Sequence, residues 1–192
     1  MIAAAELTAC ILAGGRARRM GGAAKPLLIV DGVTILDRQR ALLAPRCREV
    51  ILALAGPGPL ADRGLRVVHD RIADAGPLAG ITAALAAIDT PWLLAIAGDM
   101  PAIAPAVLDR LIALAAADVD AVAPRIGGRP EPLCALWHRR CLPALDARLG
   151  RGACKVAAAF DDLRVAWLDE AAVRALDPSL ASFRNLNRPD EL

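Results

Sequence analysis

The chain has 192 residues, 56% hydrophobic, 23% charged and 3% aromatic, with a formal net charge of +2. That length allows one substantial core, and so small a net charge excludes the broad basic field of a nucleic-acid-binding domain. No stretch has the length and apolarity of a membrane span, and the N-terminus lacks a basic-then-apolar export pattern, so neither membrane insertion nor secretion is expected.

Residues 7–13 predict a buried first strand. It leads into Leu12-Ala13-Gly14-Gly15-Arg16-Ala17-Arg18-Arg19-Met20-Gly21-Gly22-Ala23-Ala24-Lys25-Pro26. Four glycines let the backbone turn and let a ligand approach without meeting a Cβ. Three arginines and a lysine share the loop with its backbone N–H groups, a composition suited to a polyphosphate. A solvated glycine-rich surface loop is the plainer alternative. The spacing is neither of two familiar phosphate loops. Lys25 is followed by Pro26 rather than Ser or Thr, and the glycines do not follow Gly-x-Gly-x-x-Gly.

Further along, Thr34 to Leu43 reads as a helix with Thr34 as its cap. Glu49 to Leu54 reads as a strand, 56–59 as a turn, and Leu65 to His69 as a short strand. Pro77 to Ile88 predicts a helix with proline in its first turn. Trp92 to Ala97 is a buried strand and Pro105 to Ala116 a helix. Ala121 to Pro124 and Pro132 to Trp137 are strand candidates, Arg139 to Leu149 and Lys155 to Phe160 read as helical, and Leu163 to Leu168 as a strand. The alternation implies an α/β protein: a single-domain, Rossmann-like three-layer fold over 1–192, with a mostly parallel sheet and helices on both faces.

Ligands of such sheets bind at the carboxyl ends of the strands. Asp99, in Ala97-Gly98-Asp99-Met100-Pro101, leaves the end of one predicted strand, where its carboxylate can hold magnesium while phosphates supply other ligands. The alternative is a cap for the following helix. Asp70 ends another strand, ahead of Gly76-Pro77-Leu78-Ala79-Gly80, which opens a helix; its alternative is a turn residue, with Gly80 serving helix packing. Asn185 and Asn187 alternate on an extended tail and can hydrogen-bond a polar ligand or stitch a terminal strand to the sheet. Cys10, Cys47, Cys134, Cys141 and Cys154 form no Cys-x-x-Cys pair and are odd in number, which favours buried thiols over disulfides or zinc.

The loop at 12–26 resembles the Leu-Ala-Gly-Gly-x-x-x-Arg-Met-Gly-x-x-Lys signature of nucleotidyltransferases, most closely the molybdenum cofactor guanylyltransferases. Gly98-Asp99-x-Pro101, Asp70 with Gly76-Pro77-Leu78-Ala79-Gly80, Glu131-Pro132-Leu133-Cys134-Ala135-Leu136-Trp137 and the closing Phe183-x-Asn185-x-Asn187-x-Pro189 extend the resemblance from residue 7 to the end. It implies transfer of GMP from GTP to the terminal phosphate of molybdopterin or its molybdenum-loaded form, with release of pyrophosphate. It implies nucleotide contacts from Leu12, Ala13, Gly14, Gly15, Gly22, Lys25, Asp70 and Asp99. It also implies Mg²⁺ on Asp99, acceptor contacts from Asn185 and Asn187, and a cytoplasmic location. Molybdenum-cofactor delivery proteins or target-enzyme chaperones are the candidate protein partners. Arg151, Gly152 and Lys155 fall where the family has basic residues, in a segment that matches less well.

The attacking group in such a reaction is already an oxyanion, so positioning and positive charge carry the catalysis. Two unit charges ~4 Å apart interact by about 4 kcal/mol at an effective dielectric of 20. Arg19 and Lys25 are therefore expected to neutralise the α-phosphate and the leaving group. The Gly14–Gly22 backbone is expected to hold the β- and γ-phosphates, with Arg16 and Arg18 as spectators. One departure concerns the base: Leu52-Ala53-Leu54-Ala55-Gly56 offers no polar side chain where the family often has Asn. Cytidylyl transfer, transfer to another small phosphorylated acceptor, and a non-catalytic nucleotide binder remain the alternatives.

Overall fold

The computed structural model describes residues 2–14, 24–70, 72 and 75–186. Its centre is β1 (Leu7–Leu12), flanked by β4 (Glu49–Leu54) and β6 (Trp92–Ala97), both parallel to it. β6 is buried along its whole length and β1 up to Ile11. This is why they read as continuous apolar runs: a parallel strand covered on both faces has no polar side to show. β5 (Arg66–His69) extends one edge, parallel to β4. On the other side come β9 (Cys134–His138), β7 (Ala121–Ile126) and β10 (Val165–Asp169), giving the order β10-β7-β9-β6-β1-β4-β5.

Alternating residues of the central strand feed two cores. Leu7, Ala9 and Ile11 pack with α1 (Ile35–Leu43) and α3 (Pro105–Leu114). Cys10, Ile51 and Ala53 pack with α2 (Pro77–Ala87) and α4 (Leu142–Gly150). The expected α/β layering, with a mostly parallel sheet and helices on both faces, is therefore present. The helix starts follow their sequence cues. The Thr34 hydroxyl accepts from the Asp37 N–H at 3.1 Å, and Pro77 opens α2 after Gly76, whose φ of 69° suits glycine.

Several elements differ from expectation. β9 runs antiparallel to both β6 and β7, because the chain between β7 and β9 is a tight hairpin rather than a helical crossover. That hairpin contains β8 (Arg129–Pro130), paired with β7 across Gly127 and Gly128, both at positive φ. Residues 156–162 form 3₁₀ rather than α-helix, and Arg139–Cys141 is a 3₁₀ turn ahead of α4, which begins with Pro143 in its first turn. A small hairpin of β2 (Ile29–Val30) and β3 (Val33–Thr34) and the short α5 (Glu170–Arg174) were not expected. No helix among the described residues is long and apolar enough to cross a membrane.

Candidate active site

The site lies where β1, β6 and β5 end on the same rim of the sheet. β1 ends at Leu12, and the chain returns at Lys25–Leu27 as one 3₁₀ turn with Pro26 buried in it. β6 ends at Ala97 and turns at once. The Lys25 Nζ donates to the Asp99 Oδ2 at 2.9 Å, with side-chain exposures of 34% and 19%. The loop cation and the strand-end acid thus share one place.

Gly98 makes that meeting possible. Its N–H donates to the Leu12 carbonyl at 3.0 Å. A Cβ there would stand 2.8 Å from the Pro26 Cγ and 3.2 Å from the Leu12 carbonyl oxygen. Asp99 is not a helix cap, since the N-cap of α3 is Ala104. Its carbonyl instead accepts from the Leu186 N–H at 2.9 Å, which brings exposed Asn185 beside the turn. Residues 184–186 belong to no strand, so the stitching role considered for Asn185 is not what the structure shows.

Asp70 forms the second part of the site. Its N–H donates to the Leu54 carbonyl at 3.0 Å at the end of β5. A Cβ on Gly14 would lie 3.3 Å from one Asp70 carboxylate oxygen, and a Cβ on Gly80 would lie 3.4 Å from the other. Three strand ends therefore converge on Asp70, and both glycines leave its carboxylate room. Gly80 serves packing as well, since its Cβ would sit 3.1 Å from the Leu12 Cδ2. The Asp70 Oδ1 is buried with no hydrogen-bond partner among the described residues. Burial pushes its pKa up, against a smaller downward pull from His69. A buried carboxylate oxygen without a donor is costly, and a ligand N–H would relieve it.

Leu12 and Ala13 border the same space. The Leu12 carbonyl is committed to Gly98, and the Ala13 N–H donates to the Ala53 carbonyl at 2.9 Å. A Cβ on Gly14 would also stand 3.1 Å from the Ala55 nitrogen, so the end of β4 reaches the loop with backbone where the sequence offers no polar side chain. Gly15, Arg19, Gly22 and Asn187 lie outside the described residues. Lys155 and Arg151 are exposed, near the start of the 3₁₀ segment at 156–162.

Sequence reasoning missed Gln39. Its side chain is buried on α1 beside Ile35, Leu36 and Leu43, and its Nε2 donates to the Ala97 and Met100 carbonyls at 2.8 and 2.9 Å. The available signal was one amide in an apolar helix stripe.

No group of three or more His, Cys, Asp or Glu side chains among the described residues can hold a metal by itself. A single carboxylate at a strand end still fits a magnesium that takes its remaining ligands from phosphate and water.

A mostly parallel sheet with a cation, an acid and the close-packed glycines Gly14, Gly80 and Gly98 at its carboxyl rim fits an α/β protein that handles nucleotides there. The family model described as the MobA-like NTP transferase domain matches residues 9–165, and the chain belongs to this family. It is 33% identical to the molybdenum cofactor guanylyltransferase of Desulfosudis oleivorans, over 97% of this chain and 92% of that protein. It is 30% identical to the molybdenum cofactor guanylyltransferase of Vibrio cholerae, over 95% of this chain and 87% of that protein. Among solved structures it resembles the molybdopterin-guanine dinucleotide biosynthesis protein A of Archaeoglobus fulgidus. That likeness has a TM-score of 0.79 and 26% identity, covering 96% of this chain and 94% of the other.

Proposed function

We propose that this chain transfers GMP from GTP to the terminal phosphate of molybdopterin or its molybdenum-loaded form, and that one nucleotidyltransferase domain spans 1–192. The observation that carries the reading is the 2.9 Å meeting of Lys25 and Asp99 on the strand rim. The names of the relatives support guanylyl transfer in particular.

In this reading an acceptor phosphate oxygen bonds to the α-phosphorus of GTP while the bond to the pyrophosphate oxygen breaks. The nucleophile is already anionic, so no side chain has to remove a proton. Lys25 and Arg19 neutralise charge on the α-phosphate and the leaving pyrophosphate. The glycine loop, with Gly15 and Gly22, holds the β- and γ-phosphates with backbone N–H groups. Leu12, Ala13 and Gly14 line the path of the nucleotide, and Asp70 accepts from a base or ribose donor through its Oδ1, which has no partner among the described residues. Asp99 would hold Mg²⁺, which when bound would supply charge neutralisation at the phosphates. Asn185 and Asn187 contact the acceptor. The five free cysteines suit a reducing cytoplasm, and molybdenum-cofactor delivery proteins or target-enzyme chaperones would bring or take the pterin.

The apolar end of β4 leaves base recognition there to backbone groups such as the Ala55 nitrogen. A thermal-shift panel of GTP, CTP, ATP and UTP with magnesium, followed by pyrophosphate release with molybdopterin, tests the reading. Selective stabilisation by GTP together with turnover is the expected result. A preference for CTP moves the reaction to cytidylyl transfer, and binding without turnover leaves a nucleotide binder.

A further inference from the structure

The Asp99 turn does not hold itself. Its internal hydrogen bond, Met100 N–H to the Ala97 carbonyl, is long at 3.4 Å. The shorter bonds come from elsewhere. Gly98 donates to β1 at 3.0 Å, Leu186 donates to the Asp99 carbonyl at 2.9 Å, and Gln39 donates to the Ala97 and Met100 carbonyls at 2.8 and 2.9 Å. The two carbonyls that Gln39 holds flank Asp99 on either side in the chain. Both only accept, so the amide must face them with its nitrogen. The opposite end, Oε1, is buried with no partner among the described residues. An aliphatic side chain among Ile35, Leu36 and Leu43 would avoid that unmet acceptor. The amide is therefore accounted for by its donor end.

We propose that Gln39 is a positioning residue: its amide ties the two carbonyls bracketing Asp99 and so aims the carboxylate at Lys25 and at a nucleotide-bound divalent cation. Gln39 acts through the backbone of 97–100, whose Ala97 and Met100 carbonyls its amide holds. The proposal rests on the nucleotidyltransferase reading for its catalytic consequence, but not for its structural one.

The test compares the full-length wild type with Gln39→Met, which keeps the length and removes both donors, and with Gln39→His, which keeps a ring N–H at similar reach. Gln39→Leu replaces the Met variant should that one fail to fold. Amide exchange needs no substrate. Exchange at Gly98 and Met100 should accelerate in the Met variant while the amides of β1 keep wild-type protection. In the folded Met variant kcat should fall about 10- to 100-fold with KM for GTP within about threefold of wild type. Mn²⁺ affinity of the GTP complex, read by electron paramagnetic resonance, should fall with kcat, and the His variant should recover part of both. Unchanged local exchange, wild-type kcat and Mn²⁺ affinity in a folded Met or Leu variant, or a His variant no better than Met, would overturn the proposal. A wild type that binds but does not turn over GTP would sink the guanylyl-transfer reading alone, since exchange and Mn²⁺ affinity still decide the role of Gln39.

Discussion

Lys25 and Asp99 stand 74 positions apart in the chain and 2.9 Å apart in space. Adjacent parallel strands produce that meeting: β1 and β6 end side by side, with Leu12 opposite Ala97. Both side chains are partly exposed, so their mutual attraction contributes little to stability. In the proposed reaction their value lies in what each offers a triphosphate. Lys25→Ala should leave the melting temperature nearly unchanged and lower turnover about 100- to 1000-fold. Asp99→Asn should abolish magnesium-dependent turnover. Steady-state kinetics across a magnesium titration, beside a thermal melt, checks both.

Gly98→Ala should be more damaging than its size suggests. The added methyl meets the ring of Pro26 at 2.8 Å and the Leu12 carbonyl oxygen at 3.2 Å, and neither belongs to a flexible chain end. Overpacking of this kind costs about 1–3 kcal/mol. Relief requires the Asp99 turn to move away from Lys25, so activity should fall in protein that still folds. Denaturant unfolding and turnover on the same preparation separate the two effects.

Asp70 carries a cost in stability that a ligand would repay. Burial raises its folded pKa above the ordinary value near 3.8. An acid shifted upward favours the folded state fully below its unfolded pKa, and that contribution is lost as pH rises through the raised folded value. At neutral pH the ionised group is therefore a burden. Asp70→Asn should melt slightly higher than wild type at pH 7, lose that advantage near pH 3, and bind GTP more weakly. Thermal melts at the two pH values and a nucleotide titration read all three.

Asp120 has the opposite sign. The hydrogen-bonded Arg164 guanidinium is the main cause of a folded pKa near 2, with further help from the Arg164 backbone N–H and from Arg140 and despite some desolvation. The Arg164 bonds are 2.8 and 2.9 Å. A depressed acid stabilises the fold above its unfolded value near 3.8 and loses that contribution as pH falls through about 2. Asp120→Asn should be less stable than wild type at pH 7, and the two should converge toward pH 2. Urea midpoints across that range provide the check.

Thiol chemistry should be confined. Burial pushes Cys10, Cys134 and Cys141 up to about 12 and raises Cys47 as well. Cys154 alone is half-buried. Iodoacetamide on the native protein should label Cys154 first, with the other four reacting only after denaturation. Peptide mass mapping before and after urea reads this directly.

Local chemistry was legible in the sequence where one residue decides the outcome. Thr34 caps α1 and Pro77 opens α2 as their types require. The apolar runs of β1 and β6 announce strands buried on both faces. Strand direction was not legible for β9, because an apolar run has no polarity and only the Gly127–Gly128 hairpin reverses it. Short 3₁₀ segments such as 156–162 carry the same alanine-rich composition as an α-helix. In the site, Lys25, Asp70 and Asp99 stood out by loop chemistry and strand-end position. Their grouping, and the distances from Gly14 and Gly80 to Asp70, depend on strand order, which spacing along the chain does not encode. Gln39 stayed hidden because its partners are carbonyls 58 and 61 positions away.

The bond from Leu186 to the Asp99 carbonyl makes the tail a buckle on the carboxyl rim of the sheet. Asp177 accepts from the Ser182 N–H at 2.7 Å, and the Ser182 hydroxyl accepts from the Ala104 N–H at 2.9 Å, so the strap is fastened at both the α3 start and the acid turn. Affinity tags, truncations or fusions placed after α5 therefore pull on the Asp99 turn, and with it on the meeting of Asp99 and Lys25.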